Sequence, residues 1–402
     1  MSTHALGGVK PGTAEIVVVG LGAMGAAALY QLARRGVDVL GIDRFEPPHA
    51  EGSSHGGSRL TREAVGEGEA YVPLVLRTHA ILHELEARYG ETLLVRSGML
   101  IVGSTAAATP LHGARDFLAT TIEVADRFGI AHEMLDAAEL RRRYPQFRTF
   151  RDTDRGYLEP QSGYIRAERT ISAQLRAARE LGATVRTGVA VTSISQTGST
   201  VQVGTQDGTI TAKKVVVAAG AWARSLLGAP FNSLLTVTRQ VMQWYETPDP
   251  APFTPERFPT FIWFVTNRLE DYFTGFPIDD PAEGIKMVAS RDTPDIDHET
   301  INRTVAPEEP RRFYDHHVGP NLAGIGPRVT KAASCLYTNT PDNGFIIDDH
   351  PRMPGVLIVS ACSGHGFKHS LGLGEAVAQL VAEGHSKIDL TPFRLARFGV
   401  AQ

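Results

Sequence analysis

Cysteine is almost missing: the 402 residues contain two, Cys335 and Cys362. Two cysteines cannot build a disulfide framework, and they fit a reducing compartment. No run approaches the ~18 apolar residues of a membrane span, and the start of the chain lacks the apolar core of a signal peptide. The end, Gly399-Val-Ala-Gln402, is no peroxisomal address. A cytoplasmic protein with no membrane partner is the expectation. Excess positive charge is lacking too. The net charge of −4 argues against a nucleic-acid partner. There is no internal repeat and no low-complexity tract. What remains is ordinary for a soluble globular protein, with 42% apolar and 21% charged residues. The length allows one large domain or two interleaved ones.

Glycine is plentiful, and its placement is informative. Glu15 to Arg44 reads strand, glycine loop, helix, strand, acid. Ile16 to Val19 is a β-branched run suited to a strand buried on both faces. Gly20, Gly22 and Gly25 form GxGxxG: the first for a tight turn, the second for close approach to a pyrophosphate, the third for helix–strand packing. Ala26 to Arg35 is helix-prone, with a free N-terminus turned toward an anion. Asp43 ends the second strand, 18 residues after Gly25. Its carboxylate suits a ribose, and Arg44 and Ser53 follow it in the candidate cofactor set. The motif alone leaves FAD and NAD both open.

Phe45 to Gly68 is long and irregular, and such stretches inside domains are usually functional. It carries Arg59, Arg62 and Glu67, which a solvated surface loop would equally explain. The two arginines share a face in a helix and fall on opposite sides of a strand. Beyond it, Glu69–Tyr89 predicts a helix and Leu93–Val102 a strand. Leu111–Phe128 and Asp136–Tyr144 predict helices. Gly156–Ile165 reads as a loop or short strands, Ala167–Leu181 as an amphipathic helix, and Thr184–Ala212 as a β-meander. A buried strand then ends at Gly220. Strand-like segments at Val237–Glu246, Thr260–Thr266, Tyr272–Phe276 and Ile285–Ser290 predict a mostly antiparallel sheet in a second domain. On the last of them Lys286 is either exposed, the commoner case, or facing a pocket.

Near the end, Gly355–Ala361 is another buried strand, followed by the turn Ser363-Gly-His-Gly366 and a helix over Ser370–Glu383. Strand–glycine elements at the start, middle and end suit a long bipartite cofactor better than NAD. His365 and His369 lie four apart but lack a third ligand, so no metal is expected. His316 and His317 read as surface residues. The fold class is α/β. The first domain comprises residues 13–100, 150–225 and 330–390, and the second comprises 101–149 and 226–329.

Four stretches carry a resemblance across nearly the whole chain. They are VVVGLGAMGAAALYQLARRG, PPHAEGSSHGGSRLTREAVGEGEAYVPL, KAASCLYTNTPDNGFIIDDHP and SGHGFKHSLGLGEAVAQL. The sequence resembles the monomeric sarcosine oxidase and N-methyltryptophan oxidase family, FAD-dependent amine oxidases of the glycine oxidase and D-amino acid oxidase superfamily. The resemblance implies a Rossmann-type FAD-binding domain interleaved with the substrate domain. It implies an oxidase of a secondary amine, an N-methyl or cyclic amino acid, with O₂ as acceptor, H₂O₂ as product and a monomeric state.

It also implies roles for single residues. Cys335 would carry FAD through a thioether. Lys286 would promote reaction with oxygen, Arg59 would hold the polar network near the flavin, and Tyr337 would line the pocket. Arg62 and Lys368 would grip the substrate carboxylate, and Glu67 would sit in the entrance loop. Gly364 and Gly366 would form the turn at the flavin. Ser290, Val65 and Thr274 depart from the family pattern, so the pocket wall is expected to differ from that of a sarcosine oxidase.

Overall fold

The structure is a computed structural model, and it describes residues 12–266, 268–289 and 293–400. The β-branched runs become the centre of an eight-stranded sheet. Thr13–Val19 pairs in parallel with Val39–Ile42 on one side and Gly208–Val217 on the other. Val17 faces Leu40 and Val215 across these ladders, and all are buried. Such runs are covered on both faces because parallel strands need crossover connections that lie over the sheet. Met353–Ser360 adds in parallel to Gly208–Val217, so the chain returns to this sheet from its far end. Helices Ala23–Arg34, Val72–Tyr89, Ala167–Glu180 and Ser370–Glu383 bury their apolar faces in one cluster beside it.

A second eight-stranded sheet runs in the order Val329–Asn339, Thr236–Tyr245, Ile285–Val288, Tyr272–Gly275, Thr260–Phe264, Met99–Ser104, Asp154–Glu159, Glu133–Leu135. Its pairings are antiparallel except that of Thr260–Phe264 with Met99–Ser104. The mostly antiparallel sheet is thus observed. Phe147, Phe258, Phe261, Trp263 and Phe273 fill its outer core. A three-stranded sheet, Ser58–Thr61, Gly163–Arg166 and Leu94–Val95, lies apart from both.

Several expectations change. The strand expected over Leu93–Val102 is two, Leu94–Val95 and Met99–Ser104, with Gly98 at φ +75° between them. The helix expected from Leu111 begins at Phe117, because Asp116 caps it by accepting from Ala119 N at 3.2 Å. Thr184–Arg186 leaves the meander to pair in parallel with Val39–Ile42. His317 is buried, not on the surface, packed against Phe273 and Phe313. Asp154–Glu159 and Val329–Asn339 lie within the ranges expected of the first domain but pair in the second sheet. Nearness along the chain misassigns them, since each finds its partner far away in sequence.

Candidate active site

One cavity of about 570 Å³ runs from the carboxyl ends of the first sheet to the face of the second. Open α/β sheets bind ligands at such strand ends. At the first-sheet end Gly20 has φ +87°, and a Cβ there would lie 2.6 Å from the Ala218 carbonyl oxygen. A Cβ on Gly25 would lie 1.7 Å from the Gly20 oxygen. Any side chain would fill this cradle, and the start of helix Ala23–Arg34 opens onto it. Asp43 is buried and accepts from Leu21 N at 2.7 Å and Phe45 N at 2.8 Å. It therefore shapes the glycine loop, and its remaining lone pairs can take hydroxyl donors. Gly22, Arg44, Ser53 and Gly220 line the same end, with Arg44 paired to Glu299. The cradle and the length of the cavity fit FAD.

At the other end Lys286 is buried rather than exposed. Its Nζ donates to the carbonyls of Gly56 and Ser58, each at 2.7 Å, and lies 4.7 Å from the Phe276 ring centre. Burial, then Arg59, pushes its pKa well below the lysine range, with Glu168 opposing. Arg59 donates to Ser58 O at 2.8 Å and Ser53 O at 2.7 Å. Glu168 takes the amides of Gly56 and Gly57. Lys286, Arg59 and Glu168 together fix one loop at the cavity wall. Cys335 is opposite Gln240 in the second sheet and lines the cavity. Burial raises its thiol pKa, with Arg59 opposing.

Arg62 leaves the strand Ser58–Thr61 at its end, so it and Arg59 both reach the cavity despite lying three residues apart. Its Nη2 is 2.7 Å from Glu67 Oε2, and Lys368 Nζ is 3.0 Å from Glu67 Oε1. All three side chains are buried. Glu67 is therefore the shared partner of both cations. Burial alone would raise its pKa, but Arg62 and Lys368 hold it well below the usual range. The arginine is also stacked over Phe117, at 4.8 Å, and its Nε has no partner among the described residues. His365 is kept neutral by burial, its pKa lowered to about 3. Tyr337, Gly364, Gly366 and Thr274 line the cavity, whereas Val65 packs into the core. Ser290 lies outside the described residues. No group of three metal-ligating side chains occurs among the described residues.

Sequence reasoning missed Glu159, which lies in a stretch read as loop. It accepts from the backbone N–H of Glu63 at 2.7 Å and Ala64 at 2.9 Å, from Tyr157 OH at 2.7 Å and from Ser162 Oγ at 2.6 Å. These contacts anchor the backbone that follows Arg62. Glu159→Ala leaves buried donors unpaired and should cost about 3 kcal/mol. Urea unfolding with an unchanged slope checks this, and a loss below about 1 kcal/mol refutes it.

The chain matches the FAD dependent oxidoreductase family over residues 15–380. It belongs to that family. It is 39% identical to a monomeric sarcosine oxidase of Streptomyces avermitilis, over 92% of this chain and 94% of that protein. It is 35% identical to an N-methyl-L-tryptophan oxidase of Salmonella dublin, over 96% of this chain and 99% of that protein. Among solved structures it is similar to the open form of NikD, an unusual amino acid oxidase essential for nikkomycin biosynthesis. The TM-score is 0.80 at 25% identity, with 95% of this chain and 97% of that one covered. This FAD-dependent oxidoreductase thus has the fold and the cofactor class that its sequence resemblance implies.

Proposed function

We propose that this enzyme oxidises a secondary amino acid, N-methylated or cyclic, at its C–N bond to the imine and passes the electrons to O₂, giving H₂O₂. The observation that carries this is the pair of buried cations, Arg62 and Lys368, on the same cavity as Lys286 and Cys335. The names of the relatives, a sarcosine oxidase and an N-methyl-L-tryptophan oxidase, agree with it. FAD supplies the two-electron chemistry when bound.

The chain's own residues divide the rest of the work. Arg62 offers a planar fork to the substrate carboxylate and Lys368 a point charge. That carboxylate competes with Glu67 for both. Lys286 places a fixed cation where negative charge develops on oxygen. Gly20, Gly22, Gly25, Asp43, Arg44, Ser53 and Gly220 hold the nucleotide half. Cys335, Gly364 and Gly366 hold the flavin half, the cysteine through a thioether. In this reading residues 13–100, 150–225 and 330–390 build the FAD-binding domain, apart from the two strands that pair in the second sheet. The enzyme works as a cytoplasmic monomer.

Purified protein should be yellow, and sarcosine, N-methyl-L-tryptophan or pipecolate should bleach it anaerobically. Peroxide should form under air; a dehydrogenase using a carrier forms none. The colour should stay with acid-precipitated protein and leave it in Cys335→Ala. Free flavin from the unaltered protein rejects the thioether.

Carboxylate binding should depend on pH. Burial lowers the Lys368 pKa to about 7, with Glu67 opposing and Arg62 reinforcing. Raising the pH above that value removes its charge, so affinity should fall by about tenfold per unit. Titrating the flavin absorbance with cyclopentanecarboxylate from pH 6 to pH 9 tests the point. A constant Kd rules out Lys368 as the gripping cation.

A further inference from the structure

The segment between Met99–Ser104 and Phe117–Phe128 closes into a tight turn over the carboxylate grip. Leu111 and Ala114 exchange backbone hydrogen bonds at 3.1 and 2.9 Å. Between them His112 has φ +48° and Gly113 φ +85°, the pattern of a primed turn. A histidine at positive φ is uncommon, and such positions gather at binding sites. The turn is fixed at its base: Phe117 N donates to Thr109 O at 2.8 Å, and Thr109 Oγ1 to Asp116 at 3.0 Å.

The imidazole points at the cavity. Leu111 and His112 line it together with Arg62, Glu67 and Lys368. A Cβ on Gly364 would lie 2.9 Å from His112 Cε1 and 2.8 Å from Tyr337 Cε2, so both rings flank that glycine. The His112 ring is 5.3 Å from that of His365. Among the described residues, neither nitrogen of His112 hydrogen-bonds within the chain. Burial lowers its pKa to about 4, with Glu67 opposing, so it is neutral and offers one donor and one acceptor.

We infer that His112 meets the substituent on the substrate's α-carbon, and that this substituent is uncharged and hydrogen-bonding, a hydroxyl or a carboxamide. The inference rests on the secondary amino acid reading. With the substrate carboxylate on Arg62 and Lys368, the α-carbon's substituent is the group next to the grip. Two cations, Glu67 and that carboxylate sum to zero, so a further charge would be buried without a counterion. A neutral imidazole with open nitrogens favours a polar substituent over an apolar one of equal size.

Anaerobic bleaching of the holoenzyme by N-methyl-L-alanine, N-methyl-L-serine, N-methyl-L-asparagine, N-methyl-L-aspartate and Nα-methyl-L-lysine tests this. The serine and asparagine derivatives should exceed the alanine derivative in kcat/KM by about tenfold, one hydrogen bond's discrimination. The two charged derivatives should fall below it. H112A should bring the serine-to-alanine ratio to about one. H112N, which tolerates the positive φ and keeps the turn but not the reach, should do the same. A wild-type ratio near one overturns the inference, as does a ratio unchanged in both variants or a charged derivative as best substrate. Bleaching by none of the five, nor by sarcosine or pipecolate, fails the underlying reading and the inference with it.

Discussion

Lys286→Met should slow reoxidation of the reduced enzyme by oxygen by about 10²–10³-fold, the usual cost of losing one preorganised stabilising group. Anaerobic reduction by substrate should change far less. The difference follows from where the charge is needed. The amine's oxidation delivers electrons at the flavin end, whereas transfer to O₂ creates negative charge beside Lys286. That lysine is well placed for it: buried, and fixed by the carbonyls of Gly56 and Ser58 at 2.7 Å. No reorganisation is required at the moment of reaction. Methionine keeps the volume and removes the charge, so the sheet should survive. The pH dependence has a definite sign. Burial lowers the lysine's pKa, so its charge is lost at a lower pH than for a solvent-exposed lysine, and reoxidation should weaken as pH rises. Stopped-flow measurement of the two half-reactions separates the effects. Equal losses in both would remove Lys286 from its assigned role.

The parts of the site legible in the sequence are those whose requirement is local. Gly20 and Gly25 must be glycine because neighbouring backbone lies within a bond length or two of where their Cβ would sit. That need writes itself into a six-residue motif. The strand Ile16–Val19 and the helix Ser370–Glu383 were readable for the same reason, through periodicity. Lys286 was not. Alternation gave its strand but not its burial, which depends on a loop 230 residues away in sequence. His317 was missed likewise, since its covering rings come from another strand and its own helix. Glu159 and His112 carried no motif. Each is defined by what folds against it: the backbone after Arg62 in one case, the Gly364 turn in the other. Arg62 and Lys368 were legible only through resemblance, and that resemblance did not show Glu67 bridging them.

That bridge determines what Arg62→Ala does. The substitution should lower kcat/KM for a secondary amino acid at least about a hundredfold, since truncating one partner of a buried charge pair costs roughly 2–5 kcal/mol. It should also destabilise the fold, because Glu67 keeps only Lys368 for its charge in a buried site. The two effects have different origins and can be separated. Adding Glu67→Gln removes the stranded carboxylate, so the double variant should regain stability. It should not regain turnover, because the substrate carboxylate still lacks its fork. Arg62→Lys keeps the charge but loses the two parallel donors, and should recover stability better than catalysis. Urea unfolding and steady-state kinetics on the four proteins form a double-mutant cycle. Were Arg62→Ala to keep its substrate affinity, or the double variant to regain turnover, Arg62 would be a structural partner of Glu67 and not the residue that receives the substrate.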